Sequence, residues 1–70
     1  MVNEVLFMEL RLLRMFREKY HLRGYEANEL FVKHGIWDYI EGCYDALHVS
    51  SDECALADIE SILKNKGVAL

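Results

Sequence analysis

The side chains in this sequence that could bind a metal ion are His21, His34, His48, Cys43 and Cys54. Structural zinc sites are usually built from pairs of ligands separated by only a few residues. The two cysteines stand alone, eleven residues apart. His34 and His48 fall near predicted helix C-termini, where the helix dipole favours an imidazolium for ordinary electrostatic reasons. The sequence therefore predicts neither a metal nor a cofactor.

Cys43 and His48 are the residues that could form a nucleophile and its base. They lie five residues apart, which on a helix separates them by about 140° around the axis. Cys43 belongs to an apolar stripe, and buried cysteines are mostly inert. The sequence contains no phosphate-binding loop, no Gly-x-Ser-x-Gly and no dinucleotide fingerprint. We therefore expect a protein that is not an enzyme.

Glu9 is the third residue with chemical potential, because it lies near the middle of an apolar arc in the first predicted helix. A buried carboxylate must be paired or protonated, and such groups often mark functional sites. The alternative is that Glu9 lies close enough to the N-terminal end to reach water or an arginine. The sequence favours this structural interpretation.

The charges are unevenly distributed along the chain of 70 residues, whose net charge is −4. Residues 1–24 carry five basic and three acidic groups, giving +2, and residues 25–70 carry three basic and nine acidic groups, giving −6. Nucleic-acid binding requires a cationic surface, so we do not expect it in general. A local exception is the basic cluster Arg11, Arg14, Arg17, Lys19 and Arg23. The alternative, which the sequence favours, is that this cluster pairs with the acidic half of the chain.

The composition predicts one helical domain over residues 1–70. No proline occurs in the chain. Apolar residues recur at helical spacing between breaks at Gly24, Gly35 and residues 49–53, and Gly67 follows the last of these segments. Ser50 with Glu53 predicts a capping box, and Val49 with Cys54 a hydrophobic staple. We expect an all-α bundle of four helices, at about 2–21, 25–34, 36–48 and 51–66.

The location of the protein is predicted from what the sequence does not contain. It has no cationic leader before an apolar core, and its apolar runs are far shorter than a membrane span. The two cysteines form no disulfide framework, which suits a reducing compartment. We therefore expect a cytoplasmic protein with no membrane contact.

The predicted third helix contains the only tryptophan and two of the four tyrosines. Its apolar stripe predicts a central packing helix, and Gly42 within it suggests the close approach of another backbone. Its aromatic and acidic residues either bind a protein partner or, for the aromatic ones, belong to the core. The candidate partner-binding residues are Trp37, Tyr39, Tyr44, His48, Asp38, Glu41 and Asp45. The predicted core is Leu13, Phe16, Leu30, Phe31, Ile36, Ile40, Cys43, Leu47, Ile59 and Leu63.

The first helix is apolar over more of its circumference than one neighbouring layer can cover. Phe7 falls among charged residues, and Leu6 and Leu10 flank the main apolar stripe. We expect these three residues, with Arg14, to pair with a second copy in a homodimer, because small domains often gain burial in this way. The alternative is that they fold back onto the other helices of a monomer.

Four short segments carry a resemblance to a known family. GYEANELF spans residues 24–31, GIWDYI spans 35–40, YDALH spans 44–48 and ADIE spans 57–60. In this order they resemble a family of short bacterial proteins catalogued only as a domain of unknown function, over roughly residues 8–64. The chain differs at Arg23, where a small polar residue is common, and at His34, where tyrosine is common. The first difference weakens the N-cap of the second helix.

The resemblance implies a small helical fold without known catalytic residues. Members of that family are often encoded near genes resembling ADP-ribosyltransferases, which implies a partner or antitoxin-like role. The acidic surface could then cover a basic cleft in a toxin by charge complementarity. The predicted function is a non-catalytic protein-interaction module. The alternative is a small nucleic-acid-associated regulator that acts through the basic first helix.

Overall fold

The computed structural model of the protein describes residues 3–70. These residues form five helices and no strand: α1 Glu4–Lys19, α2 Gly24–Lys33, α3 Ile36–Gly42, α4 Tyr44–Leu47 and α5 Asp52–Asn65. The prediction of an all-α bundle is therefore confirmed. Position 2, where the sequence placed the start of the first helix, lies outside the described residues. No helix within residues 3–70 is both long and apolar enough to cross a membrane.

Helix α1 has a capped start and a left-handed stop. The Asn3 side chain accepts a hydrogen bond from the Leu6 N–H at 3.0 Å, as an N-cap residue should. At the other end the Leu22 N–H donates to the Arg17 carbonyl at 2.8 Å, and His21 takes a left-handed conformation with φ 54°. This Schellman-type stop ends the helix at Lys19, two residues before the predicted end at residue 21.

Helix α2 begins without a side-chain cap, as the unusual residue at position 23 suggests. Arginine has no acceptor, so only the reciprocal half of a capping box forms, in which the Arg23 N–H donates to Glu26 at 2.9 Å. The helix stops before Gly35, which has φ 69°. The Gly35 N–H donates a hydrogen bond to the Val32 carbonyl at 3.4 Å. The sequence predicted this glycine stop.

The predicted continuous helix 36–48 is wrong, because the chain breaks at Cys43. This residue has φ −111° and ψ 15°, so α3 ends at Gly42 and α4 is a single turn. A Cβ added to Gly42 would meet nothing within 4 Å, so no neighbouring backbone explains this glycine. Gly42 instead weakens the helix at its last turn, because glycine has low helix propensity.

The start of α5 differs by one residue from the predicted capping box. Ser51, not Ser50, accepts the hydrogen bond from the Cys54 N–H, at 3.1 Å, and Ser50 donates to the Ala46 carbonyl at 3.2 Å. The predicted staple is also wrong, because Val49 and Cys54 are exposed. Ser50 carried the capping-box signal with Glu53, but its hydroxyl is engaged by the carbonyl of the preceding turn.

The core lies between α1 and the other helices. Its buried apolar residues are Met8, Leu12, Phe16, Ala27, Phe31, Ile36, Ile40, Leu47, Ala55, Leu56, Ile59 and Leu63. Seven of the ten predicted core residues are among them, and Leu13, Leu30 and Cys43 pack against the core half-buried. The Phe16 and Phe31 rings meet at 5.3 Å between centroids, which joins α1 to α2.

Candidate functional site

The outward side of α1 exposes three large apolar side chains. Leu6, Phe7 and Leu10 are 47%, 52% and 51% exposed, and Arg14 beside them is exposed as well. Residues three, four and seven apart lie on one side of a helix, so these four side chains form one continuous surface. We call Leu6, Phe7, Leu10 and Arg14 the outer face of α1. The structure thus brings together all four residues predicted for self-association.

The basic residues of α1 form ion pairs with carboxylates of α1 and α5. Arg11 lies 3.4 Å from the Asp52 carboxylate, and Arg14 lies 3.0 Å from Glu18 one turn further along α1. Lys19 lies 3.0 Å from Glu60, which also accepts a hydrogen bond from the Tyr20 hydroxyl. Three of the five residues of the basic cluster are therefore paired with carboxylates of the same molecule.

A cleft of about 340 Å³ opens between α1, α4 and the start of α5. The Tyr44 hydroxyl donates to Glu4 across this cleft at 3.0 Å, and the Tyr44 and His48 rings stack at 5.1 Å. Burial, followed by the hydrogen bond to Glu4, raises the pKa of the Tyr44 hydroxyl. The Glu4 hydrogen bond and the stacked His48 ring hold Tyr44 in place across the cleft.

The structure separates the aromatic residues predicted to bind a partner. Trp37 turns toward α2, where its Nε1–H donates to Asn28 at 3.2 Å and its ring meets Phe31 at 5.0 Å. Tyr39 faces Asp58 of α5, and its pKa is raised by burial first and then by the charge of Asp58. Tyr44 faces Glu4 of α1. The aromatic rings predicted to bind a partner therefore make three separate contacts within the molecule.

The acidic candidates differ from these aromatic residues because they remain at the surface. Asp38, Glu41 and Asp45 are all exposed. No ion pair to any of them occurs within residues 3–70. Their position on the solvent side of α3 and α4 agrees with the helical periodicity of the sequence. Their charges are not neutralised by ion pairs within residues 3–70.

Glu9 is the buried charged residue of the described chain, at 9% exposure. No hydrogen bond or ion pair reaches it from residues 3–70, so of the two predicted partners, water or an arginine, the arginine is not present. Burial raises the pKa of the Glu9 carboxyl, and the nearby negative charge of Glu41 raises it further. The sequence placed Glu9 in the apolar arc but could not show that Glu41 faces it from α3.

Metal ligands do not converge in the part of the chain that the structure describes. Within residues 3–70 no three histidine, cysteine or acidic side chains lie close enough together to hold an ion. Cys43 is half-buried and Cys54 exposed, and neither forms a disulfide.

The comparison with protein families is decisive for the classification of the chain. Residues 7–66 match the family described as "Protein of unknown function (DUF3791)". The chain belongs to DUF3791. The match confirms the resemblance that the motifs between Gly24 and Glu60 indicated. Comparison with curated proteins and with solved structures gave no match.

The DUF3791 match covers most of the candidate site. It begins at Phe7 and runs through α5 to Lys66, so it includes Leu10, Arg14 and Glu9 but leaves Leu6 just outside. The family description names no activity. What this DUF3791 chain does must therefore be argued from its surfaces.

Proposed function

We propose that this protein is a non-catalytic protein-interaction module that pairs with a second copy of itself through the outer face of α1. The observation that carries the proposal is the exposure of Leu6, Phe7 and Leu10, each about half exposed, on one side of one helix. Fully burying a large apolar side chain is worth about 1.5–3 kcal/mol. A contiguous exposed apolar surface of this kind is typical of an interaction site.

A second copy is the natural occupant because the surface is repeated in it. Closed two-fold dimers present the same surface from both subunits. The exposed apolar side chains of both copies would be covered together across an antiparallel crossing of two α1 helices. A domain of 70 residues has a small core, and small domains gain stability from such pairing.

The basic residues of α1 support a protein interface more than a nucleic-acid interface. Arg11 and Lys19 pair with Asp52 and Glu60, and Arg14 pairs with Glu18. Groups that are already paired release fewer counterions from a phosphate backbone. The net charge of −4 adds a general repulsion.

The exposed carboxylates Asp38 and Asp45 lie on α3 and α4, outside the outer face of α1, and remain available to another protein. A dimer would display both of them twice, and their charge suits a basic protein partner, as expected for an antitoxin-like role. The unbridged cysteines Cys43 and Cys54 fit a reducing compartment such as the cytoplasm.

Light scattering at micromolar concentration tests the pairing. We expect the wild-type protein to have about twice the chain mass of 8.2 kDa, and Phe7→Glu to have the mass of one chain, because a charge cannot be buried unpaired. The matched control is Tyr25→Glu, which changes another exposed aromatic, on α2, and should leave the dimer intact. A wild-type mass of one chain that Phe7→Glu does not change would contradict the proposal.

A further inference from the structure

Glu9 lacks a counter-charge within the described chain. Its side chain is nine-tenths buried, and no hydrogen bond or ion pair from residues 3–70 reaches it. Its charged neighbour is another carboxylate, Glu41 of α3. A buried charge is costly unless it is paired, so this site is incomplete in one copy of the protein.

The Glu9 carboxylate can be reached from the side of the outer face. Leu6 and Leu13, three residues before and four residues after Glu9, are its neighbours on α1, and Leu6 belongs to the outer face. No fully enclosed side-chain oxygen within residues 3–70 is without a partner. The Glu9 oxygens, which have no partner within residues 3–70, are therefore not fully enclosed.

Arg17 is the matching unpaired cation on α1. Arg11, Arg14 and Lys19 each have a carboxylate partner, whereas Arg17 is half-buried and has none within residues 3–70. In the same chain Arg17 lies eight residues beyond Glu9, which is about 12 Å along a helix that rises 1.5 Å per residue. The two groups also lie about 80° apart around the helix axis, so their separation does not suit an ion pair within one helix.

We propose that Arg17 of a second copy binds between Glu9 and Glu41, which makes the incomplete acidic site part of the dimer interface. An antiparallel crossing centred between Leu10 and Leu13 sets Leu6 opposite Arg17 of the second copy. The second copy's Arg17 then lies within about 4.5 Å of Glu9 along the helix axis. A guanidinium can bridge two carboxylates with its fixed set of donors. Two-fold symmetry forms this contact twice.

This inference rests on the proposed self-association and adds the register and orientation of the two helices, which the apolar surface does not determine. Leucine and phenylalanine side chains can pack in several registers along a helix. Two buried charge contacts fix one register and one orientation, since like charges brought together in other registers are costly.

The test exchanges the two charges in separate variants, Arg17→Glu and Glu9→Lys. Each variant alone would bring like charges together at both contacts, and we expect dimer dissociation constants raised about 100-fold or more. An equimolar mixture should restore the dimer. One contact then pairs the new glutamate at position 17 with the new lysine at position 9, and the other keeps the original Arg17 and Glu9. Analytical ultracentrifugation reads out both the single variants and the mixture.

Arg23→Glu is the matched control, because Arg23 is exposed and lies beyond α1. It should leave the dissociation constant unchanged. If Glu9→Lys does not fold, as judged by circular dichroism, NMR titration provides a second test: the pKa of Glu9 should be lower in the wild-type dimer than in monomeric Phe7→Glu, because Arg17 stabilises the charged carboxylate.

Three outcomes would overturn the assignment of Arg17. The first is a wild-type dimer whose dissociation constant Arg17→Glu leaves unchanged, and the second is a mixture of folded variants that stays monomeric. The third is an equal pKa for Glu9 in the dimer and in the monomer. In each case the dimer through the outer face would stand. A wild-type monomer would reject the proposed self-association itself.

Discussion

The two sides of α1 carry the same kinds of residue in opposite environments. Leu12 and Phe16 are 0% exposed, whereas Leu10 and Phe7 on the same helix are 51% and 52% exposed. The difference comes from the neighbours, because α2, α3 and α5 all contact α1 from its inner side. The width of the apolar arc on a helix therefore indicates how much of its surface can be buried. The neighbouring helices determine which part of that arc is buried within one chain.

Alanine replacements at Phe16 and Phe7 test most directly whether the two sides of α1 differ in their contribution to stability. Phe16→Ala should lower the free energy of unfolding by about 3–5 kcal/mol, because it leaves a cavity against Phe31 in the core. Phe7→Ala should change it by no more than about 0.5 kcal/mol in the monomer. Urea denaturation at concentrations low enough to keep the protein monomeric measures both. Equal losses would show that the two sides of α1 are not distinct.

Glu9 lies at the border of the two sides, and its titration sharpens the comparison. Its folded pKa is raised by burial and by Glu41, so the folded monomer binds more protons than the unfolded chain at pH values between the two pKa values. The stability contributed by neutral Glu9 is complete below the ordinary pKa of 4.5. It is lost as pH rises through the raised folded pKa.

We therefore expect Glu9→Gln to stabilise the monomer more at pH 7 than at pH 4. The amide stays neutral at both values, while the wild-type carboxylate must ionise in a buried position. Denaturation at the two pH values measures the difference. Glu29→Gln, which changes an exposed glutamate of α2, should show no comparable pH dependence. A Glu9→Gln effect that is the same at both pH values would mean that Glu9 is solvated like a surface residue.

Helical periodicity was sufficient to predict the all-α fold and most of the core. Its signal is strong because apolar residues recur at regular spacing over whole segments. It could not predict the break at Cys43, where no proline interrupts the apolar stripe and Gly42 is the one local warning. The sequence also favoured Ser50 as the cap because Glu53 follows three residues later, whereas Ser51 caps the helix.

The candidate site could be predicted in part. The outer face follows from the position of Phe7 among charged residues of the sequence. The pairing of Arg11 with Asp52, the isolation of Arg17 and the approach of Glu41 to Glu9 depend on how helices far apart in the sequence pack. The aromatic residues of α3 and α4 were hardest to place, because the break at Cys43 separates the directions in which Trp37 and Tyr44 point.

A substitution at the end of α1 should change the stability of the protein without altering either side of the helix. His21 holds a left-handed conformation with φ 54° and is exposed, and such a conformation costs a residue with a Cβ roughly 1–2 kcal/mol, which glycine avoids. Part of that gain is offset because glycine has more freedom to lose on folding. His21→Gly should therefore raise the free energy of unfolding by about 1 kcal/mol and leave the dimer dissociation constant unchanged. His21→Ala, which keeps a Cβ at the same position, is the control and should give no such gain. If glycine and alanine had the same effect on unfolding, the left-handed stop of α1 would carry no strain, and the boundary that separates α1 from α2 would need another explanation.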